Sequence, residues 1–306
     1  MRHRLEFIFF QLFKWFVLIL PLKSTQRLGA YLGVIGYKIF SRRREIALDN
    51  LRTAFPGKSE RECVAIARGA FKNYGITLTE LLWFPNLNDV TIRKLVNIKN
   101  IDLVHSKYSL GKGLVLLSGH FGNWELIALA VAYISKLPVT IIVQTQSNRL
   151  VDGVINKHRC LFGNKAISMG ISLREIIRTL DSGGIIAIAP DQSGPMEGVF
   201  VDFFGRSVAT HQGPAAFALR KCAPMIMGFM IRKADWTYDV VFEEIPTSDL
   251  VSDTAENILE LTRRHTLLLE RYIREYPNHW LWMHRRWKHL ENVVHSEDTV
   301  VNNSQS

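Results

Sequence analysis

Cysteine is scarce in this chain of 306 residues, and the three present, Cys63, Cys160 and Cys222, lie far apart. An odd, scattered set excludes a disulfide scaffold, fits a reducing compartment and offers no Cys-x-x-Cys pair for a metal. Long apolar runs are scarce too. Only one stretch, near the N-terminus, approaches the roughly 20 apolar residues that a spanning helix needs, which excludes a polytopic membrane protein. Two hydrolytic signatures are missing, the Gly-x-Ser-x-Gly elbow and the zinc-binding His-Glu-x-x-His. Acidic residues fall short of basic ones, 28 against 38, for a formal charge of +10. That surplus favours anionic partners: nucleic acid, phosphate-bearing lipid or an acidic protein. With 47% hydrophobic and 22% charged residues the chain has ample apolar content to fold.

The apolar stretch runs from Phe7 to Leu22, is rich in aromatics, and is preceded by Arg2 and Arg4. Gln11 and Lys14 interrupt it and Pro21 closes it. The following LKSTQRLGA offers no convincing small-residue cleavage site, so the stretch reads as a retained anchor. At about 1.5 Å per residue it is short for a span, and an interfacial helix serves as well as a crossing one. A second apolar stretch with three glycines ends at Arg42, Arg43 and Arg44, which suit either anionic headgroups or a solvated turn.

From about residue 42 to 110 the period is helical. Ile46, Leu48, Leu51 and Phe55 form a stripe that Pro56-Gly57 ends, and Ser59 with Glu62 makes a capping-box pattern. The period then changes. Short apolar runs at 114–118, 139–144 and 185–189, separated by helix-length segments, suit strands buried on both faces. Two more, 224–231 and 238–245, form an adjacent pair, and a long amphipathic helix follows over Thr254 to Tyr276. The alternation predicts an α/β fold: a mixed, mostly parallel central sheet flanked by helices, preceded by an N-terminal membrane-anchoring helix. No linker divides it; residues 1–40 read as the membrane-associated segment, 41–290 as the main domain and 291–306 as a polar tail.

Sites in such sheets lie beyond the carboxyl ends of strands. There the first long strand leads into GHFGNWE, Gly119 to Glu125, and then an apolar helix. His120 and Glu125 are five apart, which on one helix would rotate them by roughly 140° onto different faces. They meet only if His120 sits in the turn and Glu125 in the first helical turn, with Gly119 and Gly122 giving the backbone its freedom. A neutral histidine with one nitrogen held by a carboxylate leaves the other free to take a proton from a hydroxyl. If no serine or cysteine is attacked, that hydroxyl is the substrate's own.

SGHFGNWE resembles the signature of the bacterial lipid A biosynthesis lauroyl and myristoyl transferases, within the wider HxxxxD/E acyltransferase superfamily. Other segments resemble the family in order: Arg159 in INKHRCLFG, Asp191-Gln192 in IAIAPDQSG, the turn VDFFGRSVATHQGPA with Arg206, and the aromatic-basic run PNHWLWMHRRWK. The likeness spans the chain from the N-terminal anchor to about residue 290. It implies transfer of a fatty acyl group from acyl carrier protein, or coenzyme A, to a hydroxyl of a lipid A precursor. By this resemblance His120 is the general base and Glu125 its orienting partner. Asn123, Arg159, Asp191, Gln192 and Arg206 are implied as substrate-binding or site-arranging residues. No metal or resident cofactor is implied. The partners implied are acyl carrier protein, an anionic glycolipid and the bilayer, at the cytoplasmic face of the inner membrane.

Within the superfamily the same machinery suits a lysophospholipid, a glycosylated phosphoinositide or an aminolipid, and water as acceptor would make a thioesterase. Phe203 and Phe204 suit an acyl pocket or the core. In WLWMHRRWKH, 280–289, tryptophans and arginines suit a phosphorylated glycolipid at the interface, or a helix end with its indoles turned inward. Basic segments this dispersed, without a recognised motif, exclude a nucleic-acid binder.

Overall fold

A computed structural model describes residues 2–170, 173–196 and 198–288, so the expected polar tail and His289 lie outside the described residues. In chain order the elements are α1 (Arg2–Ile19), α2 (Leu22–Ile39), α3 (Ser41–Ala54), α4 (Glu60–Trp83), α5 (Asp89–Leu95), β1 (Val96–Ile98) and α6 (Ile101–Tyr108). Then come β2 (Leu114–Leu117), α7 (Trp124–Ser135), β3 (Val139–Val143), α8 (Arg149–Arg159), β4 (Lys165–Ser168), α9 (Leu173–Asp181) and β5 (Ile185–Ile188). The chain closes with β6 (Val199–Phe203), β7 (Arg206–Thr210), α10 (Gly213–Lys221), β8 (Met225–Arg232), β9 (Tyr238–Ile245) and α11 (Ala255–Glu275).

The central sheet has the order β1-β9-β8-β2-β5-β3-β4, while β6 and β7 form a separate hairpin. Neighbours run parallel except β8 and β9, the pair expected from sequence. The apolar runs are continuous because the sheet is covered on both faces. Val115 and Leu117 of β2 join a core with Leu51, Leu269 and Ile273 from α3 and α11. Their neighbours Leu114 and Leu116 join the opposite core, with Leu126 and Leu129 of α7.

The glycines of α2 have a packing role. A Cβ on Gly75 of α4 would lie 2.2 Å from the carbonyl oxygen of Gly29, and one on Gly33 would lie 2.3 Å from that of Phe71. The two backbones therefore touch. Ahead of them, α1 presents two apolar faces. Val17 is buried with Phe10 and Phe13 against the core. Leu5, Ile8, Phe9, Leu12, Trp15, Phe16 and Ile19, at helical spacing, point outward and are all more than half exposed. Among the described residues no helix is long and apolar enough to cross a membrane.

β2 and β5 are adjacent and parallel, and the N–H of Ser118 donates to the carbonyl of Ile188 at 3.1 Å. Their carboxyl ends thus bring the loop at 118–123 beside the loop that begins at 189.

Candidate active site

The turn between β2 and α7 is pinned from several sides. Gly122 has φ +61°, and a Cβ there would lie 1.7 Å from the carbonyl oxygen of Met230, so both conformation and contact require glycine. Asn123 caps α7, its Oδ1 accepting from the Leu126 N–H at 3.1 Å, while its amide donates to Glu80 at 2.7 Å. Glu80 is buried in α4 and also accepts from Gln26 and from the Tyr238 hydroxyl. The C-terminal block clamps the same turn: Leu281 N–H donates to the His120 carbonyl at 3.0 Å, and Gly122 N–H to that of His279 at 2.9 Å.

Held this way, His120 turns toward the loop after β5. Its Nδ1 lies 2.7 Å from Asp191 Oδ1, and its backbone N–H donates to Asp191 Oδ2 at 2.8 Å. Trp280 Nε1–H donates to the same Oδ2 at 2.8 Å. With Nδ1–H spent on an ionised Asp191, the free lone pair of a neutral imidazole is on Nε2, where the Gln192 amide nitrogen stands 3.3 Å away. Burial opposes the imidazolium, but the Asp191 charge and hydrogen bond outweigh it, and the His120 pKa is raised. Burial likewise works against the Asp191 carboxylate; His120 and Trp280 outweigh it and hold its pKa at about 2. The imidazole ring lies 5.0 Å from the Trp124 ring, which stacks on Tyr74.

The expected His120–Glu125 contact is not formed. Glu125, in the first turn of α7, faces the end of α8 and takes a two-pronged ion pair from Arg159, at 2.6 and 2.8 Å. The reason is rotational: the turn aims the imidazole at the neighbouring strand end, and the helix aims its first carboxylate elsewhere. Arg159 therefore spends its fork on Glu125, with Nη1 on Asn156 at 3.0 Å. The two charges stay near enough to act on His120 with opposite sign. Asn123 is fully buried and committed to the cap and to Glu80, so it builds the turn. Gln192 borders the imidazole directly, whereas Arg206 stands exposed at the start of β7, opposite Phe203 in the hairpin.

The aromatic alternatives resolve inward. Trp280, Trp282 and Trp287 are buried, and Phe203 stacks on Trp287 at 5.5 Å, so these rings form core behind the site and not an interfacial belt. Arg286 is buried with them, while Arg285 and Lys288 are exposed. Arg42 to Arg44 open α3, and Arg43 donates to the Met283 carbonyl at 3.1 Å. Among the described residues no group of three or more His, Cys, Asp and Glu side chains is placed to hold a metal ion. Sequence reasoning missed Glu80, although a lone acid inside the apolar run ITLTELLWF was its visible trace.

The structure thus holds an imidazole against a buried carboxylate at the carboxyl edge of a mostly parallel sheet, with its second nitrogen beside the Gln192 amide, an arrangement able to accept a proton. The chain belongs to the bacterial lipid A biosynthesis acyltransferase family, whose model matches residues 2–289. Among its relatives are two proteins of Escherichia coli K12, the lipid A biosynthesis palmitoleoyltransferase and lauroyltransferase. Each is 27% identical over 278 residues, covering 90% of this chain and 88% of the relative. The lipid A biosynthesis myristoyltransferase of the same organism is 24% identical over 259 residues, 84% of this chain and 77% of that protein. Membership makes the chain an acyltransferase of lipid A biosynthesis.

Proposed function

We propose that the protein moves a fatty acyl group from an acyl carrier protein or coenzyme A thioester to a hydroxyl of a lipid A precursor, with His120 as general base. The observation that carries this reading is the His120–Asp191 pair, which fixes the ring tautomer and turns Nε2 toward Gln192. In the reaction the substrate hydroxyl takes the place of the Gln192 amide beside Nε2. As its oxygen attacks the thioester carbonyl, the proton passes to Nε2, and Asp191 stabilises the imidazolium. When the tetrahedral adduct collapses, the C–S bond breaks and the imidazolium returns the proton to the departing thiolate. The displaced Gln192 amide is a donor for the oxyanion. Glu125 and Arg159, paired with each other, act on the imidazole with opposite sign.

The outward stripe of α1 lies in the bilayer interface, at the cytoplasmic face of the inner membrane, where acceptor lipid and a soluble acyl donor meet. The stripe supports an in-plane helix over a crossing one. The positive surplus suits both an acidic carrier and a phosphorylated acceptor.

The test offers the purified protein a panel of acyl-carrier and coenzyme A thioesters with phosphorylated glycolipid and lysophospholipid acceptors, and reads product mass. An acylated lipid A precursor that disappears with His120→Ala is the expected product. Thioester loss independent of acceptor would contradict it and name a thioesterase instead.

A further inference from the structure

Behind Asp191 lies a small cavity of about 10 Å³, lined among others by Asp191, Thr210, His265 and Arg286. It has room for roughly one water. Arg286 is 2% exposed, and its fork meets no carboxylate: Nη1 donates to the carbonyls of Ala209 (2.7 Å) and Gln192 (3.4 Å), and Nη2 to Thr210 Oγ1 (2.7 Å). Its buried Nε and the buried Nε2 of His265 have no protein partner among the described residues. A guanidinium this deep without an acid in contact is costly unless an anion stands close. Asp191 lines the same cavity, and its charge acts on Arg286 against the effect of burial. Three of its roughly four acceptor positions are taken by His120 twice and Trp280 once, which leaves one for the cavity.

We infer that Arg286 is a positioning residue for the His120–Asp191 pair: across this cavity its buried charge opposes the Asp191 carboxylate, and its fork ties the loop at 191–192 to β7. The inference rests on the reading of His120 as base and goes beyond it. Several other titratable or charged groups face the pair. Glu125 and Arg159 offset each other. Burial holds His284 at about 4, His265 at about 3, and His211 below its ordinary value, so they are neutral at pH 7. Arg43 lies at the exposed rim. Arg286 is lowered by burial to about 10 and stays charged. Its charge therefore disfavours the imidazolium of His120 and favours the neutral base.

The test compares Arg286→Lys, which keeps the charge, with Arg286→Gln, which keeps an amide donor but not the charge, in full-length protein. The readout is kcat/KM against pH. In Arg286→Gln the acid limb should move up by roughly half a pH unit, and the value at pH 7 should fall by up to about threefold. Arg286→Lys should keep the wild-type limb. Equal displacement in both variants, or a uniform loss with the limb in place, overturns the inference. If Arg286→Gln does not fold, thermal melting of Asp191→Asn against Asp191→Asn/Arg286→Gln decides. The double variant should be at least as stable as the single one, since the lone buried charge is gone, and a further additive loss overturns the inference. A His120→Ala control that still turned over would instead sink the assignment of the base, a separate failure.

Discussion

Asp191 holds His120 by two bonds at once, accepting from the ring Nδ1 at 2.7 Å and from the backbone N–H of the same residue at 2.8 Å. Ring and backbone are therefore fixed as one unit. The acid five residues along the chain, Glu125, is left to Arg159. The five-residue spacing thus leads from the imidazole to a neighbouring ion pair, while the carboxylate that holds the ring comes from the loop after β5.

Glu125 and Arg159 form a largely buried two-pronged pair, so breaking either side strands the other charge. Glu125→Gln and Arg159→Gln should each lower stability and activity, and the double variant should be no worse than either single one. Urea denaturation of the four proteins should give a coupling of roughly 0.5–3 kcal/mol. Additive losses would show that the pair does not act as a unit.

Gly122→Ala puts a methyl into the space of the Met230 carbonyl at a φ of +61°. The turn must shift to accept it. A loss of at least about 2 kcal/mol is expected in thermal melts, with activity falling further because the same turn carries His120.

The acid side of the stability profile follows from His265. Its folded pKa is about 3 against an ordinary 6.5, because burial penalises the charged ring. The unfolded chain takes up that proton first, so the stability is fully present above pH 6.5 and is lost as pH falls toward 3. His120 acts in the other direction. Its raised pKa gives stability below 6.5 that is lost as pH rises through the folded value. His265→Leu should flatten the acid loss, as read by urea denaturation at a series of pH values.

The outward stripe of α1 predicts vesicle binding. Phe9, Leu12 and Phe16, all more than half exposed, would each bury apolar area worth about 1.5–3 kcal/mol if fully inserted. Replacing all three with serine should weaken binding to lipid vesicles at least about a hundredfold. Unchanged co-sedimentation would remove the interface role from α1.

Much of the fold was legible because its physics is local. Runs such as LVLL and IIAI, apolar at every position, announce strands covered on both faces, and β2 and β5 stand where those runs fall, with β8 and β9 as the adjacent pair that follows. Ser59 and Glu62 form the capping box that their spacing promises. The edge strands β1 and β4 and the hairpin β6–β7 left a weaker trace, being short or partly exposed, with no continuous run to mark them. At the site, His120, Glu125, Arg159, Asp191 and Gln192 were legible as residues, and their pairing was not. Which carboxylate meets the imidazole depends on β5 lying next to β2, a long-range choice that spacing along the chain does not encode. Trp280 and Arg286 were likewise visible as types, yet only the closing of the C-terminal block over the turn turns them inward.

The most direct test is the pH–rate profile of Asp191→Asn, measured with an acyl-carrier thioester and a lipid A precursor beside wild type and Glu125→Gln. Asp191 raises the His120 pKa, so without its charge the acid limb should move to lower pH. The maximal rate should fall by about 10²- to 10⁴-fold as the ring loses its orientation. A limb that stays in place with near-normal turnover in Asp191→Asn, while Glu125→Gln shows the shift, would contradict the pairing and return the orienting role to Glu125.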